Sequence, residues 1–97
     1  MEEALANVAV DLSGRPFVVF NAPFTTHKIG TFDVELIEEF CRALANKAML
    51  NLHVNVPYGG NDHHVAEAIF KALGQALRAA VARDERITDV PSTKGTL

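Results

Sequence analysis

The sequence holds one cysteine, one tyrosine and no tryptophan among its 97 residues. A lone Cys41 excludes an internal disulfide framework and fits a reducing compartment. Long apolar runs are also missing: none approaches the ~18–20 residues that a bilayer span needs. Basic residues fall short, nine Lys and Arg against twelve Asp and Glu, which leaves a net charge of −3 and a pI near 5.7. A nucleic-acid module needs the opposite surplus, so that class is set aside. The opening Met1-Glu2-Glu3-Ala4-Leu5 lacks the basic segment of a signal peptide. What is there, 48% hydrophobic and 22% charged residues, reads as a small acidic cytosolic domain rather than a disordered chain. The length allows one domain, residues 1–97, burying roughly 60–70% of its unfolded surface. With six Phe as its main aromatics, a core this small leans on oligomerisation for further burial.

Periodicity sets the elements. Residues 7–12 alternate, with Val8, Val10 and Leu12 on one face and Asn7, Ala9 and Asp11 on the other, which predicts a half-buried strand. Ser13-Gly14-Arg15-Pro16 reads as a turn and Phe17-Val18-Val19-Phe20 as a second strand, so the two are expected to form a hairpin. Asn21 to Gly30 is polar and irregular, with room for one short edge strand. Asp33 is the expected N-cap of a first helix. Its apolar stripe is Val34, Ile37, Phe40, Cys41, Leu44 and Ala48. Residues 50–56 alternate again, Leu50, Leu52, Val54 and Val56 facing inward. Asn61 or Asp62 then caps a second helix, to about Arg83, with Val65, Ala68, Ile69, Leu73, Leu77 and Ala80 on its apolar face. The tail from Thr88 to Leu97, with Pro91 and Gly95, is expected to be extended. The order β-β-(β)-α-β-α gives an α+β fold, a mixed sheet with two helices packed on one face.

The densest polar cluster, Asn61-Asp62-His63-His64-Val65-Ala66-Glu67, opens the second helix. His63 and Glu67 stand at i, i+4 and His64 and Glu67 at i, i+3, both spacings that meet on a helix surface. Imidazole and carboxylate suit a borderline divalent ion such as manganese or zinc. Adjacent histidines point about 100° apart on a helix, so they suit two ions, or one ion and a partner chain, better than a single ion. A plain polar helix start, with acids placed for the helix dipole, explains the same residues. Lys71 follows Glu67 by one turn, either as a surface ion pair or as an ammonium that holds an anion. Ser92-Thr93-Lys94-Gly95 offers hydroxyls and a cation to a phosphate but is not a Walker loop. Arg15 is a solvated turn residue or an anion clamp. Glu39 serves solubility or completes a coordination sphere. His53 is expected to be solvated or hydrogen-bonded on its strand's polar face, and Cys41 to pack as a small hydrophobe.

Gly59-Gly60-Asn61-Asp62-His63-His64-Val65-Ala66-Glu67-Ala68-Ile69-Phe70-Lys71 resembles the second of two histidine-rich motifs of the imidazoleglycerol-phosphate dehydratase family. Asp11-Leu12-Ser13-Gly14-Arg15-Pro16, Glu38-Glu39-Phe40 and Pro91-Ser92-Thr93-Lys94-Gly95 follow the family pattern in the same order. The resemblance implies a hydro-lyase of histidine biosynthesis. Such an enzyme removes water from a phosphorylated imidazole diol, imidazole glycerol phosphate, to give imidazole acetol phosphate. It implies two manganese ions and a substrate imidazole bound as imidazolate, which eases loss of a carbon-bound proton before hydroxide departs. By the resemblance His63, His64 and Glu67 are metal ligands, each histidine serving a different ion. Glu39 falls where many members carry a ligating histidine. Lys71 lies at the site, and Arg15, Ser92 and Lys94 hold the substrate phosphate. No general acid or base is assigned.

The family chain has two similar halves, each with its own His-His-x-x-Glu, and this sequence matches the second. It lacks the first motif and about half the expected ligands. Family sites form across subunit boundaries, so the expected partners are copies of this chain or the missing N-terminal half. A non-catalytic metal-binding and assembly domain is the competing expectation.

Overall fold

The computed structural model describes residues 3–93, with side chains described as far as Arg83. Leu50, Leu52, Val54 and Val56 are buried while His53, Asn55 and Pro57 are exposed, the in-out pattern of a strand with one wet face. This strand, β5 (Asn51–Gly59), lies at the centre of a three-stranded sheet, between β1 (Ala4–Asp11) and β2 (Phe17–Asn21). The predicted hairpin of the first two strands therefore does not form. β1 pairs antiparallel with β5, Ala9 opposite His53, and β2 pairs parallel with it, Val19 opposite His53. The connection between β1 and β2 is long enough to step across the start of β5. Gly14 N–H donates to the Met49 carbonyl at 3.0 Å and Phe17 N–H to the Leu50 carbonyl at 3.2 Å. Gly14, at φ 82°, makes the bend.

After β2 the chain forms a separate small ladder, β3 (Lys28–Ile29) against β4 (Phe32–Asp33), turning at Gly30 with φ 62°. The short strand allowed for in this region thus pairs locally and does not extend the main sheet. Helix α1 (Glu35–Ala48) starts one residue later than expected. Asp33 is taken up in β4, where its carboxylate meets Lys28 Nζ at 2.9 Å, so Val34 is the N-cap and has no side-chain cap bond. Ile37, Cys41 and Ala45 form the buried seam of α1. Phe40 and Ala48, predicted on that seam, are exposed: Phe40 falls about 100° from the centre of the 37–41–45 line, and Ala48, though in line with it, is the last residue of the helix.

Helix α2 (Asp62–Thr93) runs ten residues beyond the expected end. From Asp84 to Val90 the sequence has neither Gly nor Pro to stop it, and the helix continues over residues 88–93, Pro91 among them, in place of the expected extended tail. Val65, Ala68, Ile69, Leu73 and Ala80 are buried as expected. α2 lies along β1 and β5 and α1 over β2, and both contribute to one core with the inward side of the sheet. The fold class is therefore α+β, two helices on one face of a mixed sheet, as the periodicity predicts. Both helices begin beyond the carboxyl ends of parallel strands, where α/β-type units commonly carry their sites.

Candidate functional site

The histidine motif stands where β5 turns into α2. Gly60 N–H donates to the Glu3 carbonyl at 3.3 Å, which ties this turn to the start of β1. Asn61 is the cap: its Oδ1 accepts the His64 N–H at 3.1 Å, three residues on. Asp62, the other cap candidate, does something else. Its carboxylate accepts Thr25 N–H at 3.0 Å, Thr26 N–H at 2.8 Å and the hydroxyls of both threonines at 3.2 and 2.6 Å. Desolvation alone would raise the Asp62 pKa. The Thr26 hydroxyl, both N–H groups and the Thr25 hydroxyl outweigh it and hold the carboxyl below its ordinary value.

His63 and His64 diverge as helix geometry requires. His63 is exposed and lines an open cleft of about 470 Å³ with Ala66, Glu67, Phe70 and Lys71, all on one face of α2. His64 turns toward β1. Its Nδ1 lies 2.7 Å from Glu3 Oε2, off the line of a hydrogen bond, and is itself shielded from solvent. The Glu3 carboxyl is held below its ordinary value, first by its own backbone N–H; a smaller desolvation effect opposes this and the His64 ring adds to it. The two rings sit 5.9 Å apart, edge to face.

Lys71 Nζ is 3.9 Å from Glu67 Oε2, the outer edge of ion pairing, with both groups well exposed. Such a pair contributes little to stability, and the ammonium stays open to an anion in the cleft. Glu39 is exposed on α1 beside Phe40, whose ring meets Phe70 at 5.8 Å. Among the described residues, no three His, Cys, Asp or Glu side chains converge as a metal group. Glu39, His63, His64 and Glu67 are thus spread over two faces rather than gathered at one point.

Arg15 is exposed in the turn beside Met49, at the entry end of β5. The histidine motif follows the exit end, roughly 25 Å away at about 3.3 Å per residue. Ser92 falls in the last turn of α2, its side chain outside what is described, and Lys94 lies outside the described residues. His53 behaves as expected, with Nε2 at 3.0 Å from Asn51 Oδ1 on the exposed sheet face and Phe17 beside it at 6.0 Å. Cys41 is fully buried, and burial first, then Glu38, pushes its thiol pKa up. Glu3, Thr25 and Thr26 escape a reading of local spacing, since each meets the motif from 36 to 61 positions away in sequence.

The donor chemistry fits a divalent ion. One helix turn presents two imidazoles on different sides, each with a carboxylate within reach, Glu67 on one and Glu3 on the other. The Nδ1 of His64 is shielded and has no hydrogen-bond partner, with the Glu3 carboxylate 2.7 Å away, so this side of α2 holds a donor nitrogen that the chain's own hydrogen bonds leave unused.

A family model described as imidazoleglycerol-phosphate dehydratase matches residues 1–77. Over all 97 residues the chain is 60% identical to the imidazoleglycerol-phosphate dehydratase of Clostridium botulinum strain Hall, and 58% identical to that of Bacillus licheniformis. The chain spans about half the length of these curated relatives, 50% in each case. A crystal structure of the Staphylococcus aureus dehydratase superposes with TM-score 0.77 at 55% identity, covering 79% of this chain and 45% of that one. The Pyrococcus furiosus counterpart superposes with TM-score 0.73 at 40% identity, over 80% and 44%.

Proposed function

The chain belongs to the imidazoleglycerol-phosphate dehydratase family, and we propose that it supplies one half of a hydro-lyase site that is completed by a second chain segment. The observation that carries this is the spread of its functional groups. Arg15 stands at one end of β5 and His63 and His64 beyond the other, and no three metal donors meet among the described residues. A site needing both ends is served by more than one copy, or by this chain and a segment like the other half of its relatives' length. The exposed Phe40–Phe70 pair between the helices supports such an association, as an apolar patch beside the cleft.

In this reading His63 with Glu67, and His64 on the other side of α2, hold manganese, and Glu39 contributes from a neighbouring segment. Manganese, when bound, supplies the Lewis acidity that favours the deprotonated form of an imidazole ligand. The protein's own part is to bind and orient the substrate. Lys71 faces the cleft and takes an anionic group there. Arg15, with Ser92 and Lys94, holds the phosphate of the imidazole glycerol phosphate. The overall change is loss of a carbon-bound proton and a hydroxide, together one water, to give imidazole acetol phosphate. The proposed setting is the cytoplasm; no helix among the described residues is long and apolar enough to cross a membrane.

The absence of a three-donor group within the described chain also favours a second reading, a metal-linked assembly module without turnover. Manganese content per chain across a size-exclusion peak, followed by a turnover assay on that peak, separates the two. Manganese in an oligomer peak with product formed supports the half-site. Metal-linked oligomers without product support the assembly module. A metal-free monomer overturns both.

A further inference from the structure

The carboxylate next to the two histidines is fully engaged elsewhere, and we propose that Asp62 is a positioning residue: it fastens Thr25-Thr26-His27 to the first turn of α2 and so fixes the starts of both helices to each other. Two successive backbone N–H groups and two hydroxyls converge on this one side chain. Thr25 N–H reaches the second oxygen as well, at 3.1 Å. A carboxylate has about four lone-pair sites, so Asp62 has no capacity left for a metal. The Thr26 hydroxyl also lies 2.9 Å from the Lys28 carbonyl. It has one proton, and the charged, shorter contact to Asp62 takes it.

The next residue completes the bridge. The His27 carbonyl accepts the Val34 N–H at 2.9 Å. Val34 is the N-cap of α1, which has no side-chain cap of its own. Three consecutive residues therefore hold the first turn of α2 on one side and the first turn of α1 on the other. Rotation of the α2 turn, which would swing His63 and His64, has to break several charge-assisted bonds. Ligand constellations tolerate only about 0.5 Å of looseness, so this clasp is what sets the two imidazoles.

The metal part of this inference rests on the proposed function, and the clasp itself does not. The test uses Asp62→Asn, which turns an amide group toward N–H donors, and the milder Thr26→Val, which removes one hydroxyl and safeguards against a variant that fails to fold. Two quantities are read: amide hydrogen exchange without metal, and Mn2+ affinity by the resonance of the free ion. Exchange at Thr25, Thr26 and Val34 should quicken at least about tenfold in Asp62→Asn, with Leu52 and Val54 unchanged. Mn2+ affinity should fall by about 10- to 100-fold, as for groups that orient ligands, and by less in Thr26→Val. Unchanged exchange at Val34 overturns the clasp. Faster exchange with unaltered Mn2+ affinity overturns the positioning role and leaves a purely structural one. If the unaltered chain takes up no Mn2+, the proposed function fails, and with it the positioning role, while the exchange data still decide the clasp.

Discussion

Gly59 approaches Val65 so closely that a β-carbon on the glycine would overlap Cγ2 of the valine. Val65 is fully buried in the first turns of α2 and is β-branched, so it has little room to yield. This contact sets how near the end of β5 lies to the helix that carries the histidines. Gly60, its neighbour, meets nothing within 4 Å.

Gly59→Ala should therefore destabilise the fold by about 1–3 kcal/mol, the cost of overpacking a filled site. Gly60→Ala should stay within about 0.5 kcal/mol. Val65→Ala alone should cost stability as a buried truncation, but the double variant should lose less than the sum of the two single changes, because the overlapping methyl is gone. Urea midpoints of Gly59→Ala, Gly60→Ala, Val65→Ala and the double variant measure this. Equal midpoints for the two glycine variants would refute it.

Met49 ends α1 in the left-handed conformation, φ 55° and ψ 50°, with its N–H on the Ala45 carbonyl. A side chain there is strained by about 1–2 kcal/mol, which glycine avoids. Glycine also gains freedom in the unfolded chain, which offsets part of this. Met49 is 47% exposed, so little packing is lost. Met49→Gly should raise stability by about 0.5–1 kcal/mol in denaturant titration; a lower midpoint would show that Met49 packs more than its exposure indicates.

Cys41 should be inert in the folded protein. It is buried, and its thiol pKa is raised by desolvation and then by Glu38. A thiol reagent at pH 8 should leave the native chain unlabelled and label it fully in urea. The raised value also has a sign. Above the unfolded thiol's pKa of about 8.5, the unfolded chain releases its proton first, so stability falls as pH rises through that window. Prompt native labelling would contradict the inertness, and a urea midpoint that does not fall as pH rises above about 8.5 would contradict the sign.

Much of the fold is legible because alternation and helical spacing are local signals. Leu50, Leu52, Val54 and Val56 announce β5, and Val65, Ile69 and Leu73 announce α2. Strand order is not local. Neighbouring strands with a turn between them look like a hairpin, and nothing in residues 7–20 reveals that β5, thirty residues on, inserts between them. Caps are only partly local: Asn61, one of the two candidates for α2, is its cap, whereas Asp33 is not the cap of α1. Asp33 and Asp62 are both good cap residues by type, yet Lys28 claims one and Thr25 with Thr26 the other. At the site, the divergence of His63 and His64 follows from 100° per residue and is found. The separation of Arg15 from them depends on which end of β5 each occupies, which only the topology reveals.

That separation gives the sharpest test of a shared site. Arg15 and His64 lie at opposite ends of β5, so a site that uses both draws them from different copies. Arg15→Ala and His64→Ala should each abolish turnover, but for different reasons: His64→Ala loses bound manganese, while Arg15→Ala keeps it and loses phosphate binding. Refolding an equal mixture of the two variants lets chains combine at random. About one site in four then takes its arginine from one variant and its histidine from the other, both intact. Turnover should return to about a quarter of the unaltered level. A site contained within one chain gives no recovery at all, because every chain in the mixture carries one defect.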